Sequence, residues 1–473
     1  MFWALSETLF RNHQASFLLI LALAFPHIGL PGFQIIEFSL LNRTFVLPFL
    51  LGAITLYLKG KKTLAFLIVG MMYNLHVIYA TFVLCMFLMD RVLRFKFRSS
   101  WRDILGFLAF LLAAAPVILW RSQTGSGIDL TLRPEILDLS AKGLLFTVYY
   151  PIGPMSFAIG NFLAGVGSLW AYLLGDRAAP QTRMHSTMRH FAAAIGVVLL
   201  IALVTSYWLP ITILVQMQLL RAAVFMLYFG MVYLSFFLVK QFENGRISSI
   251  LFSLLATSFI LLISPIFTIF LWELRTFLRK KYAAVVGMVA VVLLQAIVLF
   301  VSMRSRLWAP GFYLYGPQSD WQEAQEWARE NTPLDATFIT PPHIFWHYVP
   351  DWRVFSERPS VVTIPEMMEI PFDPGYAESF KMRFEALAPG ALAAFNGNYM
   401  QNLEITRVSF YTHETEDFRA LGCQFSANYL VLEKPNRAEL EIAYQNDSFW
   451  IYRIPDCQSS NPPPHSPSGA HKP

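Results

Sequence analysis

Apolar runs follow one another from about residue 15 to residue 303, leaving little polar chain between them. They fall near 15–31, 44–58, 63–89, 103–120, 154–175, 191–209, 221–239, 247–272 and 282–303. A helix needs about 20 apolar residues to cross the hydrocarbon core of a bilayer. Most of these runs are of that order, and a soluble fold has nowhere to bury so many. Charged residues make up only 14% of the 473-residue chain, against roughly 25% in soluble domains. The chain therefore reads as a multi-pass membrane protein. Two runs are too long for one crossing, and each contains a break. Asn74 and His76 interrupt 63–89, and Ser264-Pro265 interrupts 247–272. Each reads as a pair of short helices that turns back.

The cations set an orientation. Residues 1–303 carry 23 Lys+Arg against 10 Asp+Glu, and residues 304–473 carry 13 against 21. The segments 59–62, 90–102, 176–190, 240–246 and 273–281 hold 17 of the 23 cations. All five can share one side only if 63–89 and 247–272 each cross twice. Positive charge accumulates on the cytoplasmic side. The expectation is a multi-pass α-helical membrane domain, 1–303, of about 11 helices, some short and broken, with its N-terminus cytoplasmic. A small extracytoplasmic α/β domain, 304–455, follows, and 456–473 is Pro/Ser-rich and expected to be disordered. The basic half is the membrane half, so nucleic acid is not an expected partner. Met1–Phe10 has no basic n-region.

In the C-terminal part, Ser319 and Gln322 form a capping-box pattern before an amphipathic helix over 320–330. Asn331-Thr332-Pro333 ends that helix, because the residue before proline is pushed out of the α region. Strands are expected over 336–340, 360–364, 428–433, 440–444 and 449–454, and helices over 376–387 and 414–421. Cys423 and Cys457 both lie here. In an oxidising compartment they could pair, which would stabilise by roughly 4 kcal/mol in the chain-entropy model; as free thiols they would not, and the spacing leaves this open.

No P-loop, G-x-G-x-x-G, G-x-S-x-G or H-E-x-x-H occurs, and no ligand cluster argues for a metal. The candidates for chemistry are polar groups in or against the membrane. Arg43 follows Gln34, Glu37 and Asn42, and could hold a lipid phosphate bidentately or snorkel to anchor a helix end. Arg221 follows Gln216 and Gln218 at the head of a span. His76 sits at the turn of a helix pair, where it could contact a phosphate or tie helices together. Trp352, Arg353 and Arg358 follow the expected first strand; the two Arg suit an anionic headgroup or ion pairs with Asp351 and Glu357.

A helix, an Asn-Thr-Pro stop and a strand ending in Thr340-Pro341-Pro342, placed after the last membrane helix, resemble the start of the extracytoplasmic domain of GT-C membrane glycosyltransferases. The Trp321…Trp327…Asn331-Thr332-Pro333 spacing is similar to their oligosaccharyltransferase branch. The TPP-ended strand, the later Arg pair and the Q-x-Q-x-x-R pattern before Arg221 are closer to an uncharacterised bacterial GT-C-like family. The WWDYG motif of the oligosaccharyltransferases has no counterpart in Trp346-His347-Tyr348-Val349-Pro350-Asp351. The resemblance implies transfer of a sugar from a polyprenyl-phosphate donor at the outer face of the cytoplasmic membrane. Arg43, His76, Arg221, Trp352, Arg353 and Arg358 would contact lipid phosphate or substrate, and Glu37 would be the catalytic base. It names no cofactor. Family members open with a helix and an acidic outer loop that have no counterpart before residue 15, so the chain is expected to lack its N-terminal helices and, alone, to be inactive. A lipid or polymer transporter and a non-catalytic envelope scaffold are the alternatives.

Overall fold

The computed structural model describes residues 1–25, 27–30, 42–94, 101–124, 130–145, 156–262, 264–278, 281–304, 318–344 and 351–457. The chain forms two compact units. One comprises Met1–Pro134 with Thr147–Gly311, the other Glu135–Phe146 with Phe312–Pro473. The segment 135–146, which the sequence places in a loop between membrane helices, thus clusters with the C-terminal residues.

The first unit is helical. Its centre is Leu219–Glu243, an apolar helix whose whole 18-residue hydropathy window is buried. A helix apolar all round has to be enclosed all round. The helix Ser156–Ala178 lies closest to it. A Cβ on Gly230 would sit 2.4 Å from the Ser168 carbonyl oxygen, and one on Gly175 would sit 2.3 Å from that of Tyr233. Small residues let two helix backbones approach where no hydrophobic force drives them together. The outer helices are the reverse: Leu112, Val286 and Phe300 are among many large apolar side chains left exposed. Apolar side chains left outward in such number are compatible with a membrane-embedded unit. Among the described residues four helices are long and apolar enough to cross a membrane, Asp103–Gln123, Arg183–Tyr207, Leu219–Glu243 and Tyr282–Val301. Others are shorter: Lys62–Tyr73 has 12 residues, about 18 Å of helix, against the roughly 30 Å of hydrocarbon.

Lys62–Tyr73 and Val77–Leu93 form the expected pair. Asp103 accepts from Lys62 (3.1 Å) and Arg91 (2.7 Å), so the pair begins and ends at one place. Asn74 at its turn ties it to the helix Trp101–Thr124. Pro116 removes a donor from that helix, and beside the break Asn74 donates to the Ala113 carbonyl (2.7 Å) and accepts from the Val117 N–H (3.3 Å). A side chain inserted into the helical ladder is a known way to accommodate such a break. The second pair is Ser249–Leu261 and Pro265–Glu273, joined by Ser264, which caps the latter, and by a buried Ser258–Thr268 hydrogen bond (3.0 Å).

The C-terminal unit is α/β. Its sheet has the order β1-β2-β4-β3: β1 Phe338–Ile339, β2 Tyr429–Glu433, β3 Glu441–Gln445 and β4 Phe449–Arg453. β1 runs parallel to β2, and the other pairs are antiparallel. The helix Asp320–Asn331 buries Trp321, Ala324 and Ala328 in a core with Phe338, Trp352, Tyr429, Val431 and Ile451. Ser319 accepts from the Gln322 N–H (3.2 Å), but the Gln322 side chain donates to Glu326, so only half of the expected capping box forms. The strand expected over 360–364 is a single bridge, Phe338 to Ser360. Pro365 and the Thr363–Glu366 capping box start a 3-10 helix, Ile364–Met368, in its place. The helix Tyr399–Phe410 was not expected; its Asn402 donates to the carbonyls of Lys142 (2.7 Å) and Gly143 (2.8 Å). Cys423 and Cys457 form a disulfide.

Candidate functional site

Charge divides the first unit into two ends. At one end the carboxylates are matched to cations. Asp90, 1% exposed, accepts from Tyr57 (3.0 Å) and Arg94 (2.8 Å) and meets His190 (2.7 Å). Asp103 holds Lys62 and Arg91, and Asp176 holds Arg189 (2.9 Å). Glu243 accepts from Asn12 (2.9 Å), and Glu7 from Ser16 (2.7 Å). Glu273 ends the second helix pair, which returns to the end where Ser249 begins. Among the described residues every carboxylate of this unit is therefore at that end.

Arg43, His76 and Arg221 are at the other end. Arg43 lies in the first turn of Asn42–Leu58, which runs towards Tyr57 and Asp90. His76 caps Val77–Leu93 by accepting the Tyr79 N–H on Nδ1 (3.2 Å), and its ring meets Tyr79 edge-on at 4.7 Å. Tyr79 in turn packs on Phe225 (5.7 Å), one turn past Arg221. Three helix starts share this end with Arg43 and Arg221, and so do the C-termini of Lys62–Tyr73, Trp101–Thr124 and Arg183–Tyr207, whose opposite partial charge offsets them. Glu37 lies outside the described residues.

In the C-terminal unit the expected headgroup residues divide. Trp352 is 1% exposed and packs on Trp321 (5.2 Å) and Phe338 (4.9 Å). It is a core residue, which corrects the expectation. Arg358 is 4% exposed. It donates to Thr332 Oγ1 (3.1 Å) and to the carbonyls of Arg329 (2.6 Å), Thr332 (2.7 Å), Ser356 (3.4 Å) and Glu357 (3.2 Å). Every N–H of its guanidinium has an acceptor, so it clamps the end of helix 320–331 and has no donor left for a phosphate.

Arg353 pairs with Glu366, not with the neighbouring acids. Asp351 instead caps Trp352–Ser356 and accepts from Thr363 (2.7 Å). Glu366 also accepts from the Thr363 N–H (3.0 Å) and the Tyr376 hydroxyl, and Arg383 is 3.9 Å away. Burial favours the neutral form of Arg353, but the charge and hydrogen bond of Glu366 outweigh it and hold the guanidinium above its ordinary range. Tyr376 is pushed up to about 12 by burial and by Glu366.

A second constellation escaped the sequence reading. Glu433, the last residue of β2, accepts on Oε2 from His343 Nε2 (2.8 Å) and from the Tyr411 hydroxyl (3.0 Å). The same hydroxyl accepts the Glu433 backbone N–H (3.0 Å). Burial opposes the charge on Glu433. The hydrogen bond and charge of His343, the Tyr411 bond and the Arg407 charge prevail and hold the carboxyl below its ordinary range. Burial and the Glu433 charge push the Tyr411 phenol far up. His343 is 8% exposed, and its Nδ1 is buried with no partner among the described residues. The available signal was position, since both residues stand where parallel strands end. Among the described residues no group of three His, Cys, Asp or Glu is placed to hold a metal.

Residues 319–387 match a family described as a domain of unknown function, DUF6798. The match takes in the helix, the Asn-Thr-Pro turn, His343, Arg353, Arg358 and the Glu366 network. No curated protein matches the chain.

Proposed function

We propose that the chain is a GT-C-like integral membrane glycosyltransferase, or a relative of one, that engages a polyprenyl-phosphate-linked sugar at the outer face of the cytoplasmic membrane. The observation that carries this reading is the division of charge in the first unit. Carboxylates gather at one end, while Arg43 and Arg221 stand at the other. A buried anionic headgroup is drawn to such an end. In this reading the paired end is cytoplasmic and carries the basic loops. The short helix pairs each cross and return, for about 11 helices in all, and the C-terminal unit is extracytoplasmic. The Cys423–Cys457 disulfide supports that placement, because disulfides persist in oxidising compartments.

The test is binding of polyprenyl phosphate, with the uncharged polyprenol as control, to the full chain in nanodiscs. Binding should require the phosphate and weaken about tenfold in Arg221→Ala and Arg43→Ala, the loss of one charge-assisted contact. Equal binding of the alcohol and the phosphate would end the reading. The two short helix pairs also favour a transporter, since broken helices line transport cavities. Flux of a polyprenyl-phosphate sugar across proteoliposomes without transfer would decide for it.

A further inference from the structure

In open α/β sheets ligands meet the protein outside the carboxyl ends of parallel strands, where separate segments of chain converge. Among the described residues β1 and β2 are the parallel pair of the sheet. Three segments meet at its carboxyl end: the turn after β1 with His343, the end of β2 with Glu433, and the end of helix 399–410 with Tyr411.

Two features set this cluster apart from a structural ion pair. The first is the Nδ1 of His343, buried and without a partner among the described residues. Leaving such an atom unmatched costs about 1–3 kcal/mol, and such atoms are few in native structures. The second is the division of labour within the carboxylate. Both side-chain donors bond Oε2. Oε1 has no hydrogen bond among the described residues, on a side chain that is 32% exposed. The group is an acceptor whose direction is set before anything binds, so a ligand donor loses little to ordering it. Helix 399–410 also bears an open depression of about 370 Å³ lined by Pro389, Glu404, Ile405, Val408, Ser409 and Thr412. Its lining is chiefly apolar, and its one carboxylate, Glu404, is held by Arg407 (2.8 and 2.6 Å).

Resting on the glycosyl-transfer reading, we propose that Glu433 is the polar contact of a saccharide-binding site at the carboxyl end of the β1–β2 pair. Its Oε1 accepts a hydrogen bond from a sugar hydroxyl, and His343 and Tyr411 are positioning residues that fix its direction. No proton or bond is transferred in this step.

The experiment is saturation-transfer NMR on the full chain in nanodiscs with glucose, galactose, mannose and N-acetylglucosamine, from pH 7 down to pH 3. At least one sugar should show transfer. Glu433→Gln should weaken its binding about tenfold, the worth of one hydrogen bond to a charged group. Binding by the wild type should fall as Glu433 protonates. In Tyr411→Phe that fall should begin at higher pH, which a merely structural role would not produce. The Cys423–Cys457 bond, scored by thiol labelling, confirms that each variant is folded. Absence of transfer from all four sugars overturns the inference, as does unchanged affinity in Glu433→Gln. Polyprenyl-phosphate binding is measured on the same samples. If it persists while sugar binding is absent, this inference alone fails; if both are absent, the reading it rests on fails with it.

Discussion

Glu366 and Glu433 are two largely buried glutamates of one unit, and they are satisfied in opposite ways. Glu366 is a hub. Both of its oxygens accept, from a backbone N–H, a guanidinium and a phenol, and a second guanidinium stands nearby. Its partners come from within residues 353–383 and pin one stretch of chain to itself. Among the described residues Glu433 is held by one oxygen only, by partners about 20 and 90 residues away in the chain, on a side chain that is 32% exposed. A saturated carboxylate fixes a fold, whereas a half-held one can also receive something. Burial alone does not separate the two; the count of acceptors in use does.

Removing the hub should have the largest effect. Glu366→Ala leaves Arg353 with only the Ser360 carbonyl (3.2 Å) and Tyr376 without its acceptor, and should destabilise the C-terminal unit by about 3 kcal/mol. That value is at the low end for a buried pair, because the Arg353 side chain is 40% exposed. Urea-dependent pulse proteolysis of the full chain in detergent would read it. A cost under about 1 kcal/mol would place Glu366 with exposed ion pairs and erase the contrast with Glu433. Arg358→Lys comes next. Lysine keeps the charge but cannot reach five acceptors held in a fork. About 2 kcal/mol should be lost in the same assay, with protease cutting near the Asn331–Pro333 turn. Tyr411→Phe removes two hydrogen bonds, to Oε2 and from the Glu433 N–H, and should cost about 2 kcal/mol at the usual value of about 1 each, since Glu433 keeps His343. If Tyr411→Phe cost as much as Glu366→Ala, Glu433 would be a hub as well.

Much of the architecture was legible because it follows from burial pattern. The apolar runs, the break at Asn74, the Ser319 helix start and the Pro333 stop are local in sequence and recur in the structure. The strands 429–433, 441–445 and 449–453 were legible for the same reason, being runs of β-branched and aromatic residues. Helix 399–410 was not, because its buried face carries Asn402 and Thr406. Asn402 answers to carbonyls of residues 142 and 143, some 260 positions away. Apolar periodicity has no access to a face buried by hydrogen bonds. The candidate site fared similarly. Arg353 could be singled out as a cation, but its partner Glu366 lies just past the segment 360–364 read as a strand, in a 3-10 helix that was not expected. Arg358 and Trp352 looked like surface groups because sequence does not show that their turn folds inward onto Trp321 and Thr332. His343 follows two prolines and Glu433 closes an apolar strand, so each looked like punctuation until the parallel pairing of β1 and β2 set them together.

The smallest effect is the one that separates the two glutamates most directly. The folded pKa of Glu433 lies below its ordinary value, so the folded state favours the ionised form. Such a group contributes its full stability above the unfolded pKa, about 4.3 for glutamate, and loses it as pH falls through the lower folded value. Glu433→Gln keeps the shape and removes the charge. At pH 7 it should be less stable than the wild type by about 1 kcal/mol, because its bonds to His343 and Tyr411 lose their charge assistance. The difference should shrink as pH falls from about 5 towards 3, where the wild-type carboxyl takes up its proton. Unfolding midpoints of the two proteins across that window are the measurement. Converging curves would show that Glu433 is charged in the folded unit and held so by its two partners. A constant gap would mean that the charge does not matter to the fold, and that Oε2 is bound no differently from the oxygen of an amide.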